Sequence, residues 1–425
     1  MINMLFGCAE IEITPQVPIT MGGYGARAGT AKGISSPLYA RSFVFQDGKE
    51  KLGLITADLL MLNREQSSFI REEAERLTGI PSSNIIVSCS HTHSGPSTFT
   101  RGDFRFDPDP DYLTWVQRAL AGSLLMAEQD LEEIELASGT RYITGIGSNR
   151  RGKEDKSSLP LSLLSTRIPG NKEPKAIIVN YGCHPTVLGA DNFLLSPDFP
   201  GAMVKNLRRL FPKTTIGFIN GAAGDISTRF ERRAQNLEEV DRLGKLLAGE
   251  TLSLFSRLKF NQLPQGNLQI KNFTVEVPFR KLPSPEERKQ EIKKWEKRKK
   301  ELEAQSAEPG DIRLARTGLE GARIQEYVAQ LQDQLEKDAS ITCGYIGNTA
   351  LASIPGELFS SLAQPLYQLP IPAIILCGYS NGHLGYIPDP DAFNEGGYEA
   401  LSSPLEPTFG QNLVQTLEEI LKEMI

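Results

Sequence analysis

Apolar runs in this chain are short. None approaches the roughly 20 residues that cross a bilayer, so no transmembrane segment is expected. The start, Met1-Ile2-Asn3-Met4-Leu5-Phe6-Gly7, has neither the basic stretch nor the long apolar stretch of an export signal. Cysteine is sparse: Cys8, Cys89, Cys183, Cys343 and Cys377 are odd in number and form no Cys-x-x-Cys. That pattern excludes a disulfide framework and points to reduced thiols in a cytoplasmic protein. Basic residues are not in excess. With 46 Lys and Arg against 52 Asp and Glu, the net charge is -6, which speaks against a nucleic-acid partner. The glycine-rich Met21–Arg27 stretch lacks a following Gly-Lys-Ser/Thr; it reads as a turn lining a pocket, not as a phosphate loop. No His-Glu-x-x-His helix is present, and a serine-hydrolase elbow is not expected.

What remains is an ordinary globular composition, 40% hydrophobic and 23% charged over 425 residues. The length suits one large domain with an insertion, or two intimate ones. Strands are expected at 9–14, 40–45 and 51–57, the last two as a hairpin across Asp47-Gly48. A helix follows over Arg64–Thr78, then a strand over Asn84–Cys89. Strand, helix, strand implies a parallel pair. Further strands are read at 134–141, 176–181, 215–219, 349–354 and 373–378, with helices at 112–127 and from 196 to about 211. The expected fold is α/β in the mixed α+β sense: largely parallel or mixed sheets flanked by helices. Residues 283–338 differ in composition and read as an inserted helical hairpin, a solvated appendage rather than a partner-binding arm.

Histidine is scarce, and its placement is informative. His91, His93, His184 and His383 are the only four, and each stands in a polar loop just after an expected buried strand. Open α/β sheets bind ligands at such strand ends. In Ser90-His91-Thr92-His93-Ser94-Gly95-Pro96 the two imidazoles are two residues apart, so one could ligate a metal while the other faces substrate; two loop histidines capping a turn fit equally. His91, His184 and Glu357 together would make a two-histidine, one-carboxylate site with a position open for water, which suits catalytic zinc. Cys89 as a nucleophile is a lesser option, since its strand register turns it into the core.

Several stretches resemble the neutral/alkaline (non-lysosomal) ceramidase family. They are Ala9–Pro15 with Gly22–Gly25, Ala40–Val44, Ser90–Pro96, Asn149-Arg150, Gly182-Cys183-His184, Asn220–Ser227, Pro355-Gly356-Glu357 and Gly385-Tyr386. They occur in the family's order, and His91-Thr92-His93-Ser94-Gly95-Pro96 is the most specific. The resemblance implies a zinc ion held by His91, His184, Glu357 and Tyr386. It implies that His93, Arg150 and Tyr398 line the reaction centre, with Ser227 beside it. It further implies hydrolysis of an amide in a small N-acyl compound, a ceramide-like sphingolipid or another. Family enzymes continue into a C-terminal β-sandwich, whereas the sequence here ends soon after Tyr386; a single catalytic domain over 1–425, with 283–338 inserted, is the expectation. A metal-binding protein without turnover, or a metal-dependent esterase or phosphoesterase, is the alternative. The sequence assigns no oligomeric state.

Overall fold

The computed structural model describes residues 4–99, 107–152, 158–331 and 334–425. It has the mixed α+β architecture expected, built around three larger sheets. The first contains β1 (Leu5–Glu12), β2 (Tyr39–Asp47), β3 (Glu50–Ala57) and β4 (Ile85–Cys89), in the order β4-β3-β2-β1 with Glu132–Glu133 at the edge. β2 and β3 form the antiparallel hairpin, while β3 and β4 are parallel. Between them runs α1 (Arg64–Thr78), bounded as the sequence indicates. Asn63 and Gln66 form a capping box at its start, and Gly79 closes it in the left-handed conformation. α2 (Pro110–Gln129) packs on β1 and β2.

The second sheet holds β5 (Glu135–Ile143), β6 (Leu159–Arg167), β7 (Ala176–Tyr181) and β8 (Thr215–Asn220), in the order β8-β7-β6-β5. β7 and β8 are its parallel pair. α3 (Asp198–Arg208) and α4 (Leu237–Phe255) cover it. The third sheet holds β9 (Leu268–Glu276), β10 (Asp338–Ile346), β11 (Thr349–Ser353) and, after the short β12 (Glu357–Leu358) and α7 (Ser360–Tyr367), β13 (Ala373–Cys377). β11 and β13 are parallel. Phe43 and Phe45 of the first sheet, Ile178 and Ile219 of the second, and Leu351 and Ile375 of the third share one apolar core. Strands β4, β7, β11 and β13 are buried along their whole length, which is why they read as unbroken apolar runs.

Each sheet thus supplies one parallel pair, and loops leaving their carboxyl ends carry all four histidines and Glu357. The hairpin between β9 and β10 consists of α5 (Pro285–Ala304) and α6 (Pro309–Gln330). It is not the solvated appendage read from its charge. Ala315, Leu319, Ala322 and Ile324 are buried, and a Cβ on Gly318 would lie 2.6 Å from the Trp295 ring, so the two helices touch there. Small residues on α6 allow that approach, and the charge belongs largely to α5. Residues 332 and 333 of the 283–338 stretch lie outside the described residues. Among the described residues no helix is long and apolar enough to cross a membrane.

Candidate metal centre

β4 ends at Cys89, and the chain turns at His91, whose φ of 65° lies in the left-handed region. A non-glycine residue held there is strained, and such residues concentrate at functional sites. Tyr379 and Asn381, in the loop after β13, share the trait with φ of 53° and 56°. Asn381 ties that loop to β4: its Oδ1 accepts from Val87 N at 2.8 Å. The Tyr379 ring consequently lies nearly parallel to the His91 ring, centroids 4.0 Å apart.

Two histidines are oriented by the main chain. Nδ1 of His91 is 2.8 Å from the Leu60 carbonyl. Nδ1 of His184 is 2.7 Å from the Ala223 carbonyl and 3.1 Å from that of Ile226. A carbonyl only accepts, so Nδ1 carries the proton and Nε2 is left bare in each neutral ring. Both bare nitrogens turn to one carboxylate oxygen. Oε2 of Glu357 is 3.5 Å from His91 Nε2 and 3.0 Å from His184 Nε2. His93 brings its Nε2 to 3.2 Å from His91 Nε2. Burial holds all three imidazoles neutral: it pushes His91 down to about 3 and lowers His184 and His93 as well. Burial acts to raise the Glu357 carboxyl, and any positive charge facing it acts to lower it.

Acceptors so placed face one another without a proton between them. Nε2 of His184 and Oε2 of Glu357 are buried and have no hydrogen-bond partner, an arrangement that costs free energy unless a cation joins them. The donor set fits a divalent metal. Tetrahedral zinc at about 2.0–2.1 Å from its ligands sets those ligands roughly 3.3 Å apart, close to the separations here. His91, His93 and His184, whose ligand atoms lie within 4.8 Å of one another, could hold a metal ion.

The remaining expected residues gather around this point. Parallel pairing of β12 with β14 (Tyr386–Ile387) sets Glu357 beside Tyr386. Burial and Glu357 push the Tyr386 phenol well up. Arg150 is half-buried and fixed at three points: Nε donates to Glu399 at 2.8 Å, and Nη2 donates to the Gly224 carbonyl at 2.8 Å and to Tyr386 Oη at 3.1 Å. The Tyr398 ring meets the Tyr386 ring edge-on, centroids 5.7 Å apart. Ser227 forms a backbone bridge with His184, while its Oγ accepts from Arg229 N at 3.3 Å. A small pocket opens in front of His91, His93, Glu357, Tyr386 and Tyr398. Gly23 and Gly25 line it, as the glycine-rich loop suggested, and so do Glu320 and Ile324 of α6.

Three residues carry no role in the sequence reading. His383 places Nε2 3.5 Å from the other Glu357 oxygen, Oε1; its strand-end position was the available signal. Glu399 bridges Arg150 and Arg151, with no signal across some 250 intervening positions. Tyr379 stacks on His91 and follows a stretch that corrects an expectation: Gly378-Tyr379-Ser380-Asn381-Gly382 does have Gly-x-Ser-x-Gly spacing. Ser380 is no exposed nucleophile, however. It is fully buried, and its Oγ bonds the Cys377 carbonyl at 2.6 Å and accepts from Ile354 N at 3.0 Å. Cys89 is buried too, and burial keeps its thiol protonated.

Gly224 is where close approach matters most. A Cβ there would stand 2.3 Å from the Glu357 carbonyl oxygen and 2.9 Å from the Phe359 ring. Gly224→Ala is expected to destabilise the protein by about 1–3 kcal/mol and to weaken metal binding by displacing β12. Urea unfolding with and without added zinc measures both; unchanged midpoints would show that β12 yields freely.

The family model for neutral/alkaline non-lysosomal ceramidase, N-terminal, matches residues 4–229. The fold is similar to that of the neutral ceramidase from Pseudomonas aeruginosa, with a TM-score of 0.75 and 18% identity over 99% of this chain and 75% of that one. It is likewise similar to a ceramidase complexed with C2, at a TM-score of 0.74 and 17% identity over 99% of this chain and 76% of that one. At such identities the structural likeness speaks for the fold, whereas the family model spans more than half of the sequence: this chain belongs to the neutral/alkaline non-lysosomal ceramidase family.

Proposed function

We propose that the protein is a zinc-dependent amidohydrolase, cleaving the amide of an N-acyl compound with water to give a carboxylate and an amine. The observation that carries this reading is the convergence of two main-chain-oriented imidazoles on one orphaned carboxylate oxygen. His91, His184, Glu357 and Tyr386 would hold the ion. Zinc in such a site supplies a Lewis acid and an activated water at neutral pH.

The chain's own residues supply the rest. His93, neutral and lining the cavity, accepts a proton on the water side and passes it to the leaving amine. Arg150 keeps Nη1 uncommitted among the described residues and donates to the oxyanion, with His93 or Tyr398 beside it. Pre-aimed donors of this kind contribute because they need not reorganise as charge develops. Leu60, Met61, Phe99 and Ile324 give the cavity an apolar wall, which suits an acyl chain and excludes water. We also propose that residues 1–425 act as one catalytic domain, the α5–α6 hairpin contributing to its wall.

The test is metal content together with turnover. Purified protein is expected to hold one zinc per chain, to lose N-acyl hydrolysis on chelation and to regain it on zinc addition. Metal-free protein with full activity would sink the proposal.

A further inference from the structure

His91 and His184 are tethered by their rings, and His93 is not. Each of the first two places Nδ1 on a main-chain carbonyl, whereas His93 Nδ1 is buried with no partner. The angle of the His93 ring must then come from what packs on it and from its own main chain. The glycine-rich Met21–Arg27 loop supplies both. Gly23 has a φ of 100°, and a Cβ on it would lie 2.7 Å from His93 Cγ, so only a glycine lets the loop touch the imidazole there. The Tyr24 ring stands 5.0 Å from the His93 ring, inclined at 60°. Its hydroxyl donates to the Leu188 carbonyl at 2.7 Å.

Arg27 closes the arrangement. Its side chain is buried. Nη1 donates to the Gly22 carbonyl at 2.6 Å and Nη2 to the His93 carbonyl at 2.8 Å. The Gly189 carbonyl, in the chain past His184, lies 3.4 Å from Nη2. Arg27 Cζ stands 5.1 Å from the centroid of the Tyr24 ring, a cation–π contact. Among the described residues no carboxylate pairs with Arg27. Burial lowers it to about 10, and Asp191 attracts it without reaching it. The buried Arg41, by contrast, pairs with Glu10 and Asp58. A cation buried on carbonyls alone costs free energy. What it adds is a rigid fork: one nitrogen fixes the loop that touches the His93 ring, and the other fixes the His93 main chain.

We propose that Arg27 and Tyr24 are positioning residues for His93: the fork of Arg27 and the ring of Tyr24 hold the imidazole at the angle at which it meets the leaving amine. The proposal rests on the amidohydrolase reading above for what His93 does. Hydrolysis remains the balanced step already given, and neither residue takes a proton.

The experiment is a double-mutant cycle in kcat, with N-octanoylethanolamine on the zinc-loaded full chain. Arg27→Met is expected to lower kcat roughly 10- to 100-fold with KM within about twofold of wild type, and to leave zinc per chain unchanged. In the H93A background the same substitution should cost nothing, because the group it positions is gone. Tyr24→Leu should show the same pattern, and it carries the test if R27M does not fold. Tyr24→Phe keeps the ring and should retain more of kcat than Y24L. Equal losses with and without His93 would make both residues plain structural ties and overturn the proposal. Full kcat in R27M and Y24L, or zinc lost in step with kcat, would overturn it too. NMR of the protein labelled with 13C at histidine Cε1 separates the proposal from the reading beneath it. H93A assigns the His93 signal among the four. A protein without turnover whose His93 signal broadens or splits in R27M or Y24L, while that of His184 stays, defeats the amidohydrolase and keeps the clamp. A His93 signal untouched by both variants defeats the clamp whatever the turnover.

Discussion

Replacing His184 with alanine is expected to empty the metal centre and to cut amide turnover at least about a thousandfold. The ring is fully buried, its Nδ1 is locked between two carbonyls, and its Nε2 meets Glu357 Oε2 at 3.0 Å. His93→Ala is the contrasting variant. His93 has no carbonyl on Nδ1, which is buried without a partner, and its Nε2 lies 3.2 Å from that of His91. If His91 and His184 are ligands and His93 a proton carrier, H93A keeps its zinc while turnover falls by roughly 10²–10⁴. Bound zinc per chain, and the rise in unfolding temperature that zinc produces, are read beside the rate. H184A with a full complement of zinc would refute the ligand assignment; H93A as metal-poor as H184A would refute the division between the two.

The gathering of these residues at one point was legible in part from sequence. Buried strands announce themselves as apolar runs, and a polar residue just beyond one is placed at the sheet's edge whatever the rest of the fold does. His91, His184 and Glu357 could be grouped on that ground. Helix α1 was legible because its signal is local: Phe69, Ile70 and Leu77 repeat at helical spacing, and the capping residues Asn63, Gln66 and Gly79 sit in sequence beside what they cap. The hairpin was misjudged because its burial depends on shape. Lysines and glutamates on α5 describe one face, while Gly318 fits α6 against Trp295 and Gly321 fits it against the Tyr398 segment. Glu399 stayed hidden because its meaning comes wholly from Arg150 and Arg151, far away in the chain. His383 shows a middle case: its strand-end position was visible, and its aim at Glu357 Oε1 was not.

Arg150→Lys is expected to lower kcat by roughly 10²–10³, about 2.7–4 kcal/mol of transition-state stabilisation, with zinc retained. A guanidinium satisfies Glu399, the Gly224 carbonyl and Tyr386 Oη at once and still presents Nη1. An ammonium is a single point of charge on a flexible stem and cannot hold those three directions together. The charge survives in the lysine variant, so the loss measures geometry. Zinc affinity, measured by chelator competition, decides how Arg150 acts. Its Nη2 donates to the Tyr386 oxygen, and its charge opposes the burial that pushes that phenol up. If the variant binds zinc as the wild type does, the lost rate belongs to the oxyanion. If affinity falls in step with kcat, Arg150 works by readying the Tyr386 oxygen for the metal. A variant within a few-fold of wild type on both measures would remove Arg150 from the reaction altogether, and would leave its bond to Glu399 as a tie between the loop after β5 and the chain beyond β14.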